Sequence, residues 1–281
     1  MRPYVFAGGT AVVTGAGSGI GEALTSALAG RGSHLVLVDQ HTDRLDRVAA
    51  AVRRRHPDLR VETVVADLGD HDATVALGIR LAAEHPETTL LVNNAGTTVG
   101  GELAELSLAE VDRVLEVDLR AVVSLTHGLL PVLLAHPGAH VVVVSSIFGI
   151  FAAPGQVPYV TAKFGVRGFA EALRHELVGR VGVTVVHPGG IATRIAADAP
   201  VAAGADRATF DVTRARVSRV LRITPDDAAE AILRGVERRR GRVLIGWVTA
   251  RLPDLLVRAL PGAYGRVLGA FAGSPLDPRR P

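Results

Sequence analysis

The hydrophobic residues of this 281-residue chain alternate between two spacings along most of its length. Short continuous runs of valine, leucine and isoleucine predict buried strands. Segments in which apolar residues recur at helical spacing predict amphipathic helices between them. The strands are predicted at Thr10–Thr14, His34–Val38, Val61–Val65, Thr89–Val92, His140–Ser145, Val183–His187 and Arg242–Ile245. The helices are predicted at about Ile20–Gly30, Thr42–Arg55, Asp70–Glu84, Leu108–Ala135, Gln156–Arg180 and Pro225–Arg239.

Strand–helix alternation of this kind builds right-handed βαβ units, whose strands pair in parallel and whose helices cover both faces of the sheet. The sequence therefore predicts an α/β protein, a doubly wound Rossmann fold with a parallel sheet of about seven strands. In such a fold, ligands bind beyond the carboxyl ends of the strands. The residues that follow each strand are the first candidates for chemistry.

The amino-acid composition limits the kinds of catalytic chemistry and binding partner that are expected. Hydrophobic residues make up 48% of the chain, and the absence of cysteine excludes disulfides, thiol nucleophiles and thiolate metal sites. The ten histidines show no metal-ligand spacing, so no metal is expected. A pI near 9.9 accompanies a net charge of only +3, which does not predict a nucleic-acid partner. The chain has no signal-peptide core and no uninterrupted apolar run long enough to span a bilayer, which predicts a cytoplasmic location.

A glycine-rich turn follows the first predicted strand. Glycines allow a sharp strand-to-helix turn and let backbone N–H groups approach a pyrophosphate at the positive end of a helix. The spacing differs from the strict G-x-G-x-x-G pattern, but the position between strand and helix favours a dinucleotide site over a structural turn. The predicted cofactor-binding residues of the turn are Gly15, Ser18, Gly19, Ile20 and Gly21.

Asp39 indicates which dinucleotide binds. It ends the second strand 18 residues after Gly21, about where an acidic residue holds the adenosine ribose in this type of fold. A carboxylate accepts hydrogen bonds from a free 2′-hydroxyl and repels a 2′-phosphate, so NAD is favoured over NADP. Arg44 lies close enough in the sequence to leave NADP open.

Lys163 is the only lysine of the chain, whereas the other thirty of its 31 lysine and arginine residues are arginine. It stands four residues after Tyr159, so a phenol and an ammonium lie one turn apart on one helix face. Lysine, unlike arginine, is able to give up a proton. A free tyrosine titrates near pH ~10, and a nearby cation favours its ionised form. We therefore predict that Tyr159 and Lys163 form a catalytic centre.

Taken in order, these motifs resemble those of the short-chain dehydrogenase/reductase family, from about Thr10 to Ile245. Ser146 precedes Tyr159 by thirteen residues, as in the family pattern. The full set of marks is the Thr14–Gly21 turn, Asp67-Leu68, Asn93-Asn94-Ala95-Gly96, Ser146, Tyr159-x-x-x-Lys163, and Pro188-Gly189 with Thr193. Each of these motifs alone is weak evidence for the family, but their occurrence together, in the family's order and spacing, is highly specific for it.

The resemblance implies further cofactor contacts. Asp67 and Leu68 would flank the adenine, and Asn94 would lie beside the cofactor ribose. The residues that follow the sixth strand would meet the nicotinamide. The cofactor-binding residues that the resemblance adds are Asp67, Leu68, Asn94, Ala95, Gly96, Tyr159, Lys163, Pro188, Gly189, Ile191 and Thr193.

The resemblance also implies catalytic roles. Tyr159 would act as the general acid in carbonyl reduction or the base in alcohol oxidation. Lys163 would bind the nicotinamide ribose and lower the tyrosine pKa, and Ser146 would hydrogen-bond the substrate oxygen. Asp118 departs from the family, which usually has asparagine at this position of the long helix. Its carboxylate would place a negative charge near Lys163, so Asp118 is either catalytic or a structural residue that preserves a helix bend.

The residues around the expected substrate position are apolar. The segment 147–154 follows Ser146 and contains two phenylalanines, and residues 97–99 lie on the facing loop. Such a wall favours a lipophilic secondary alcohol or ketone over a phosphorylated or carboxylate substrate. Packing in the core explains the same residues equally well.

We see no linker that divides the chain. Residues 1–246 are predicted to form one dinucleotide-binding and catalytic domain, within which the irregular segment 195–223 either covers the substrate or is a plain surface excursion. Residues 247–281 form an apolar, arginine-bearing C-terminal extension. Packing on the domain itself or on another subunit is favoured for it over a lid or contact with a membrane surface. By resemblance, a homodimer or homotetramer is expected.

The leading hypothesis is an NAD(P)-dependent oxidoreductase, with NAD favoured, that interconverts a secondary alcohol and a ketone. The alternative is a catalytically silent NAD(P)-binding redox sensor or regulatory protein, and the retention of Lys163 argues against it. A third hypothesis, a nucleotide-sugar epimerase or dehydratase, would be accompanied by a larger carboxyl-terminal domain and a different glycine spacing.

Overall fold

Seven parallel strands form one sheet in a computed structural model, which describes residues 1–191, 195, 200–202, 204–205 and 222–265. The strands are β1 (Thr10–Thr14), β2 (His34–Asp39), β3 (Val61–Val65), β4 (Thr88–Asn93), β5 (His140–Val144), β6 (Gly182–Pro188) and β7 (Arg242–Ile245). Their order across the sheet is β3-β2-β1-β4-β5-β6-β7. Connections leave the neighbouring strands β1 and β4 toward opposite edges of the sheet, which opens a crevice at their carboxyl ends. The predicted doubly wound α/β Rossmann fold is confirmed.

Helices cover both faces of this sheet. They are α1 (Gly19–Ala29), α2 (Thr42–Arg55), α3 (His71–Glu84), α4 (Leu108–Leu115), α5 (Ala121–Ala135), α6 (Val157–Glu176), α7 (Pro225–Glu237) and α8 (Leu252–Ala259). One core lies under α1, α2 and α7, and includes Leu24 and Ile232. The other lies under α3, α5 and α6, and includes Leu81 and Leu129. Because both faces are covered, the central strands β1, β4 and β5 are almost entirely buried, whereas the edge strand β3 is partly exposed and carries Glu62.

The predicted continuous helix Leu108–Ala135 is wrong in one respect. A π-helical turn, Glu116–Arg120, separates α4 from α5. Periodicity in the sequence does not reveal such a turn, because it occupies only five residues between two α-helices. The turn contains Asp118, at the place where the sequence analysis expects a bend. The helix predicted to reach Arg180 also ends earlier, at Glu176.

Among the described residues, one helical segment, Leu108–Ala135, has the length and composition of a membrane span, with a mean hydropathy of 1.5. The sequence analysis predicts no such span. Nearly half of the apolar window is buried inside the protein, where α5 packs on α3 and on β4. A core helix that is covered on one side by the sheet has the same composition, so this segment is weak evidence for a membrane.

The described part of the C-terminal extension packs on the domain that precedes it. A π-helical turn, Trp247–Arg251, leads into α8. Arg242 on β7 and Asp254 on α8 form an ion pair with Nη2 and Oδ1 2.7 Å apart. The hydroxyl of Tyr264 accepts a hydrogen bond from the N–H of Ala152 at 3.4 Å. The candidate substrate cover, 195–223, lies largely outside the described residues.

Candidate active site

The glycine turn lies between β1 and α1, at the carboxyl edge of the sheet. Gly15 and Gly19 adopt positive φ angles of 64° and 56°, which residues with a Cβ rarely adopt. At Gly21 a Cβ would overlap the carbonyl oxygen of Gly15. Ser18 precedes the helix and its side chain forms no cap hydrogen bond to the described residues. The N–H groups of the first turn are therefore suited to hold the pyrophosphate of a dinucleotide.

Asp39 reaches back to this turn from the end of β2. Its Oδ2 accepts a hydrogen bond from the N–H of Gly17 at 2.9 Å, and its Oδ1 accepts one from His41 at 3.0 Å. Arg47 donates to the carbonyl oxygen of Gly17 at 3.3 Å, and a Cβ on Gly17 would lie 3.1 Å from Cβ of Arg44. The Asp39 carboxylate therefore has two arginines, Arg44 and Arg47, in its neighbourhood.

The Asn94 turn joins the ends of β1 and β4. The Asn94 side chain donates to the carbonyl oxygen of Thr14 at 2.9 Å. The Thr14 hydroxyl accepts from the N–H groups of Asn94 and Ala95, both at 3.0 Å. A Cβ on Gly15 would lie 2.8 Å from Cα of Ala95, and one on Gly96 would lie 2.8 Å from Oδ1 of Asp118. These close approaches bring the predicted ribose-side residues next to the glycine turn.

Asp67 and Leu68 follow β3 at the outer side of the same edge. Asp67 forms a bidentate pair with Arg113 of α4, with distances of 2.8 and 2.9 Å. This pair holds the pKa of Asp67 below its ordinary value. Leu68 is buried. Sequence reasoning missed Arg113, because its distance from Asp67 in the chain conceals their contact.

The residues that follow β6 lie on the other side of the crevice. Gly189 donates to the carbonyl oxygen of Ile245 at 3.0 Å and accepts from the Thr249 hydroxyl at 2.5 Å. Ile191 is buried. The predicted contacts Pro188, Gly189 and Ile191 thus lie at the end of the sheet, whereas Thr193 lies outside the described residues.

Ser146 follows β5 and is buried. Its Oγ accepts from the N–H of Phe148 at 3.1 Å, and its hydroxyl lies close enough to the Tyr159 phenol to lower the phenol's pKa. His187, buried beneath it, donates from Nδ1 to the Ser146 carbonyl oxygen at 2.9 Å. Burial lowers the pKa of His187 to about 4, so the ring is neutral near pH 7 and acts as a fixed donor. The sequence offered no signal for this support.

Tyr159 and Lys163 lie one turn apart on α6, which begins at Val157 with a proline in its first turn. The Lys163 ammonium is 5.4 Å from the centre of the Tyr159 ring. Lys163 is only 3% exposed and donates to the carbonyl oxygen of Val144 at 3.3 Å. The structure therefore brings together the serine, tyrosine and lysine that the sequence analysis selected.

Asp118 is fully buried and forms an ion pair with Lys163, with Oδ1 and Nζ 2.7 Å apart. Its Oδ2 accepts from the N–H of Thr97 at 2.8 Å. A buried carboxylate is tolerated when it is paired and hydrogen-bonded in this way. The departure from the family pattern thus places a second charge in direct contact with the lysine.

These neighbours shift the two proton-exchanging groups. Burial raises the pKa of Tyr159 above its ordinary value; the Lys163 cation and Ser146 lower it, and the Asp118 carboxylate raises it again. Burial lowers the pKa of Lys163, but the combined effect of Asp118 and Tyr159 is larger and raises it, so the net pKa of Lys163 lies above its ordinary value. The lysine acts on the tyrosine in the predicted direction, but the net pKa of the phenol is raised rather than lowered.

Comparison with known proteins finds a matching family model and similar proteins. The family model described as short chain dehydrogenase matches residues 9–202. SadH of Mycobacterium tuberculosis, a protein named as an oxidoreductase, is 38% identical over 268 residues, which cover 94% of this chain and 95% of that protein. The dehydrogenase/reductase SDR family member 7B of Xenopus laevis is 28% identical over 266 residues, with 93% and 81% covered.

Two solved structures agree with the sequence comparison. A short-chain dehydrogenase/reductase from Burkholderia phymatum in complex with NAD has a TM-score of 0.78 at 25% identity, and 99% of each chain is covered. A short-chain dehydrogenase from Sphingobium yanoikuyae in complex with NADPH has a TM-score of 0.74 at 27% identity, with 97% and 96% covered. Similar folds therefore hold either nicotinamide cofactor.

Proposed function

The chain belongs to the short-chain dehydrogenase/reductase family and is an oxidoreductase that binds NAD(P), and from this premise we propose that it interconverts a secondary alcohol and a ketone. The observation that carries the proposal is the convergence of Ser146, Tyr159 and Lys163 at the carboxyl edge of the sheet. The ammonium lies over the phenol ring, 5.4 Å from its centre, and both the lysine and the serine lower the pKa of the phenol. Nothing in this arrangement requires a metal.

The chemistry that NAD(P) supplies when bound is hydride transfer. The glycine turn, Asp39, Asn94, Lys163 and the residues that follow β6 are the groups that would hold it. Tyr159 transfers the proton. Its hydroxyl protonates the carbonyl oxygen during reduction, and its ionised form accepts the alcohol proton during oxidation. Ser146 donates a hydrogen bond to the substrate oxygen and stabilises the negative charge that develops there.

We propose NAD as the preferred cofactor. Asp39 is anchored to the glycine turn, where its negative charge favours a ribose hydroxyl over a phosphate. Arg44 and Arg47 keep NADP in consideration, because both lie near Gly17. Titration of the protein with NADH and with NADPH, followed by cofactor fluorescence, separates the two. Tighter binding of NADPH would overturn the preference, and binding of neither would contradict the proposed function.

A lipophilic substrate is the second part of the proposal. Phe148 packs edge-to-face against Phe151, with ring centres 5.4 Å apart, and against Tyr159 at 6.2 Å. This aromatic cluster lies beside the proton donor and is adjacent to Ile147 and Ile150. Apolar walls of this kind bind apolar ligand surface. A panel of steroid-like, long-chain and aromatic alcohols, compared with phosphorylated and carboxylate analogues, tests it; activity confined to the charged analogues would contradict it.

We also propose that residues 1–246 act as one catalytic domain, that the chain assembles as a homodimer or homotetramer, and that it works in the cytoplasm. Trp247 and Leu255 on the C-terminal extension are more than half exposed, which supports association through that surface. Light scattering coupled to size-exclusion chromatography measures the assembly. A monomer at micromolar concentration would contradict the oligomer.

A further inference from the structure

Arg113 links three segments at the edge of the sheet where adenine is expected. Its Nη1 donates to Oδ2 of Asp67 at 2.9 Å, and its Nη2 lies 2.8 Å from Oδ1 of the same carboxylate. Nη2 also donates to Oε1 of Gln40 at 3.3 Å. Gln40 follows β2, Asp67 follows β3 and Arg113 belongs to α4. One guanidinium therefore ties the ends of two neighbouring strands to a helix.

The position of this guanidinium is tightly defined. A Cβ on Gly69 would overlap its Nη1, so the absence of a side chain at residue 69 allows it to lie against the backbone. The N–H of Gly69 donates to Oδ1 of Asp67 at 2.9 Å, which orients the carboxylate. The side chains of Arg113 and Asp67 remain 40% and 51% exposed. The planar cation is thus held in place and is still accessible to a ligand.

Stability alone does not account for the arrangement. Exposed ion pairs contribute little to stability, because solvent screens them and their side chains lose conformational entropy when they are held together. A guanidinium that is held in a bidentate pair presents a flat, weakly hydrated, positively charged surface, which stacks well on aromatic rings. Leu68, the other residue expected beside adenine, is 7% exposed and offers a ligand little surface.

We propose that Arg113 is an adenine-binding residue, and that its guanidinium, oriented by Asp67 and Gln40, covers one face of the adenine of NAD(P). The proposal rests on the proposed NAD(P)-dependent function and on the adenine position that the family resemblance implies, beside Asp67 and Leu68. Because NAD and NADP carry the same base, Arg113 supports the binding of both. Arg113 does not contribute to the binding of a nicotinamide ligand that lacks adenosine.

Fluorescence titration of Arg113→Gln with NADH and with reduced nicotinamide mononucleotide, which lacks the adenosine, tests the proposal. The Kd for NADH should rise about fivefold to thirtyfold, the size of a partly desolvated cation–π contact. The Kd for the mononucleotide should stay unchanged. Arg113→Lys keeps the positive charge but replaces the planar guanidinium by an ammonium, so its Kd for NADH should rise as it does in Arg113→Gln.

Arg31→Gln is the matched control. Arg31 forms a similar bidentate pair with Glu230, at 3.0 and 2.8 Å, between the end of α1 and α7, and its loss should leave the Kd for NADH unchanged. The proposal is overturned if Arg113→Gln binds NADH as the original protein does, binds it more tightly, or loses both ligands equally. Full recovery in Arg113→Lys also overturns it. If the original protein bound neither NADH nor NADPH, the proposed function would fail instead.

Discussion

The contact between Asp118 and Lys163 determines how much the lysine charge acts on Tyr159. A buried ammonium 5.4 Å from the phenol ring favours tyrosinate. A carboxylate 2.7 Å from the same ammonium offsets part of that effect, because water is excluded and the two charges interact strongly. Burial of Tyr159 is the main reason that the pKa of the phenol is raised, and the Asp118 carboxylate adds to it. A neutral phenol at physiological pH is the form that donates a proton, which suits carbonyl reduction.

Asp118→Asn should retain or increase turnover at neutral pH and move the pH profile. Reduction requires the protonated phenol, so its rate falls as pH rises through the Tyr159 pKa. Loss of the carboxylate lowers that pKa, so the fall should occur at lower pH, and oxidation should begin at lower pH. Profiles of kcat/KM against pH in both directions measure the shift. A loss of more than about tenfold at every pH would mean that the carboxylate itself is required.

Tyr159→Phe should abolish turnover and leave cofactor binding intact. The substitution removes the hydroxyl that carries the proton and keeps the ring that packs against Phe148. General acid–base catalysis contributes roughly 10²–10⁴-fold, so a loss of at least that size is expected. Steady-state rates and NADH titration on the same preparation provide both readouts. Retained activity would show that another group transfers the proton.

Lys163→Arg should also be severely impaired although it keeps a positive charge. Lys163 lies in a closed space between Asp118 and the carbonyl oxygen of Val144. A guanidinium is larger, and its fork does not fit the site of a compact ammonium. A loss of kcat of about 100-fold or more is expected, by analogy with other positioned catalytic groups. Normal rates would contradict the argument from the only lysine.

At the scale of secondary structure, α3 and α5 approach so closely that their contact depends on two glycines. A Cβ on Gly128 would lie 2.7 Å from the carbonyl carbon of Gly78, and one on Gly78 would lie 3.3 Å from the carbonyl oxygen of Ser124. Helix α5 also packs on β4, and the π-helical turn that holds Asp118 directly precedes α5. Close packing of these two helices therefore supports the position of the buried carboxylate.

Gly128→Ala should lower the free energy of unfolding by about 1–3 kcal/mol, because the added methyl group forces the two helices apart. Gly168→Ala on α6 is the control, since a Cβ there meets none of the described residues within 4 Å. That variant should be up to about 1 kcal/mol more stable than the original protein. Urea denaturation measures both. Equal effects at the two positions would show that the crossing tolerates a side chain.

At the scale of the whole molecule, the C-terminal extension is tied to the catalytic domain by a largely buried ion pair. The side chains of Arg242 and Asp254 are 18% and 10% exposed, and their closest atoms are 2.7 Å apart. Burial raises the pKa of Asp254, but the combined effect of Arg242 and Arg258 is larger and lowers it, so the net pKa lies below the ordinary value. The pair therefore stabilises the folded protein when the carboxylate is ionised.

Asp254→Asn should lower the free energy of unfolding at pH 7 by about 1–3 kcal/mol, as is typical for a lost hydrogen bond to a charged group. Since folding lowers the Asp254 pKa, this contribution is present above the unfolded value near ~4 and disappears as pH falls below it. The difference between variant and original should therefore shrink in acid. Leu255→Ser, at an exposed position, should change stability by less than about 0.5 kcal/mol. A pH-independent difference would contradict the ion-pair account.

The sequence by itself determined the order of strands and helices and the positions of the local motifs. Buried parallel strands require continuous apolar runs, so all seven could be located, with ends that differ by about one residue. The Thr14–Gly21 turn and the Tyr159–Lys163 pair could be predicted for a similar reason. Each depends on residues within one or two turns of the chain, where the spacing in sequence sets the spacing in space.

Only the tertiary structure decided how distant groups meet. The sheet order brings α4 beside the ends of β2 and β3, which places Arg113 on Asp67, and a π-helical turn directs Asp118 onto Lys163. The departure from the family pattern at Asp118 predicted a charge near the lysine, but the extent of its burial depends on every element packed around it. The net pKa of Tyr159 follows from that burial. Sequence patterns record which face of an element is apolar, but they do not record which partner covers it.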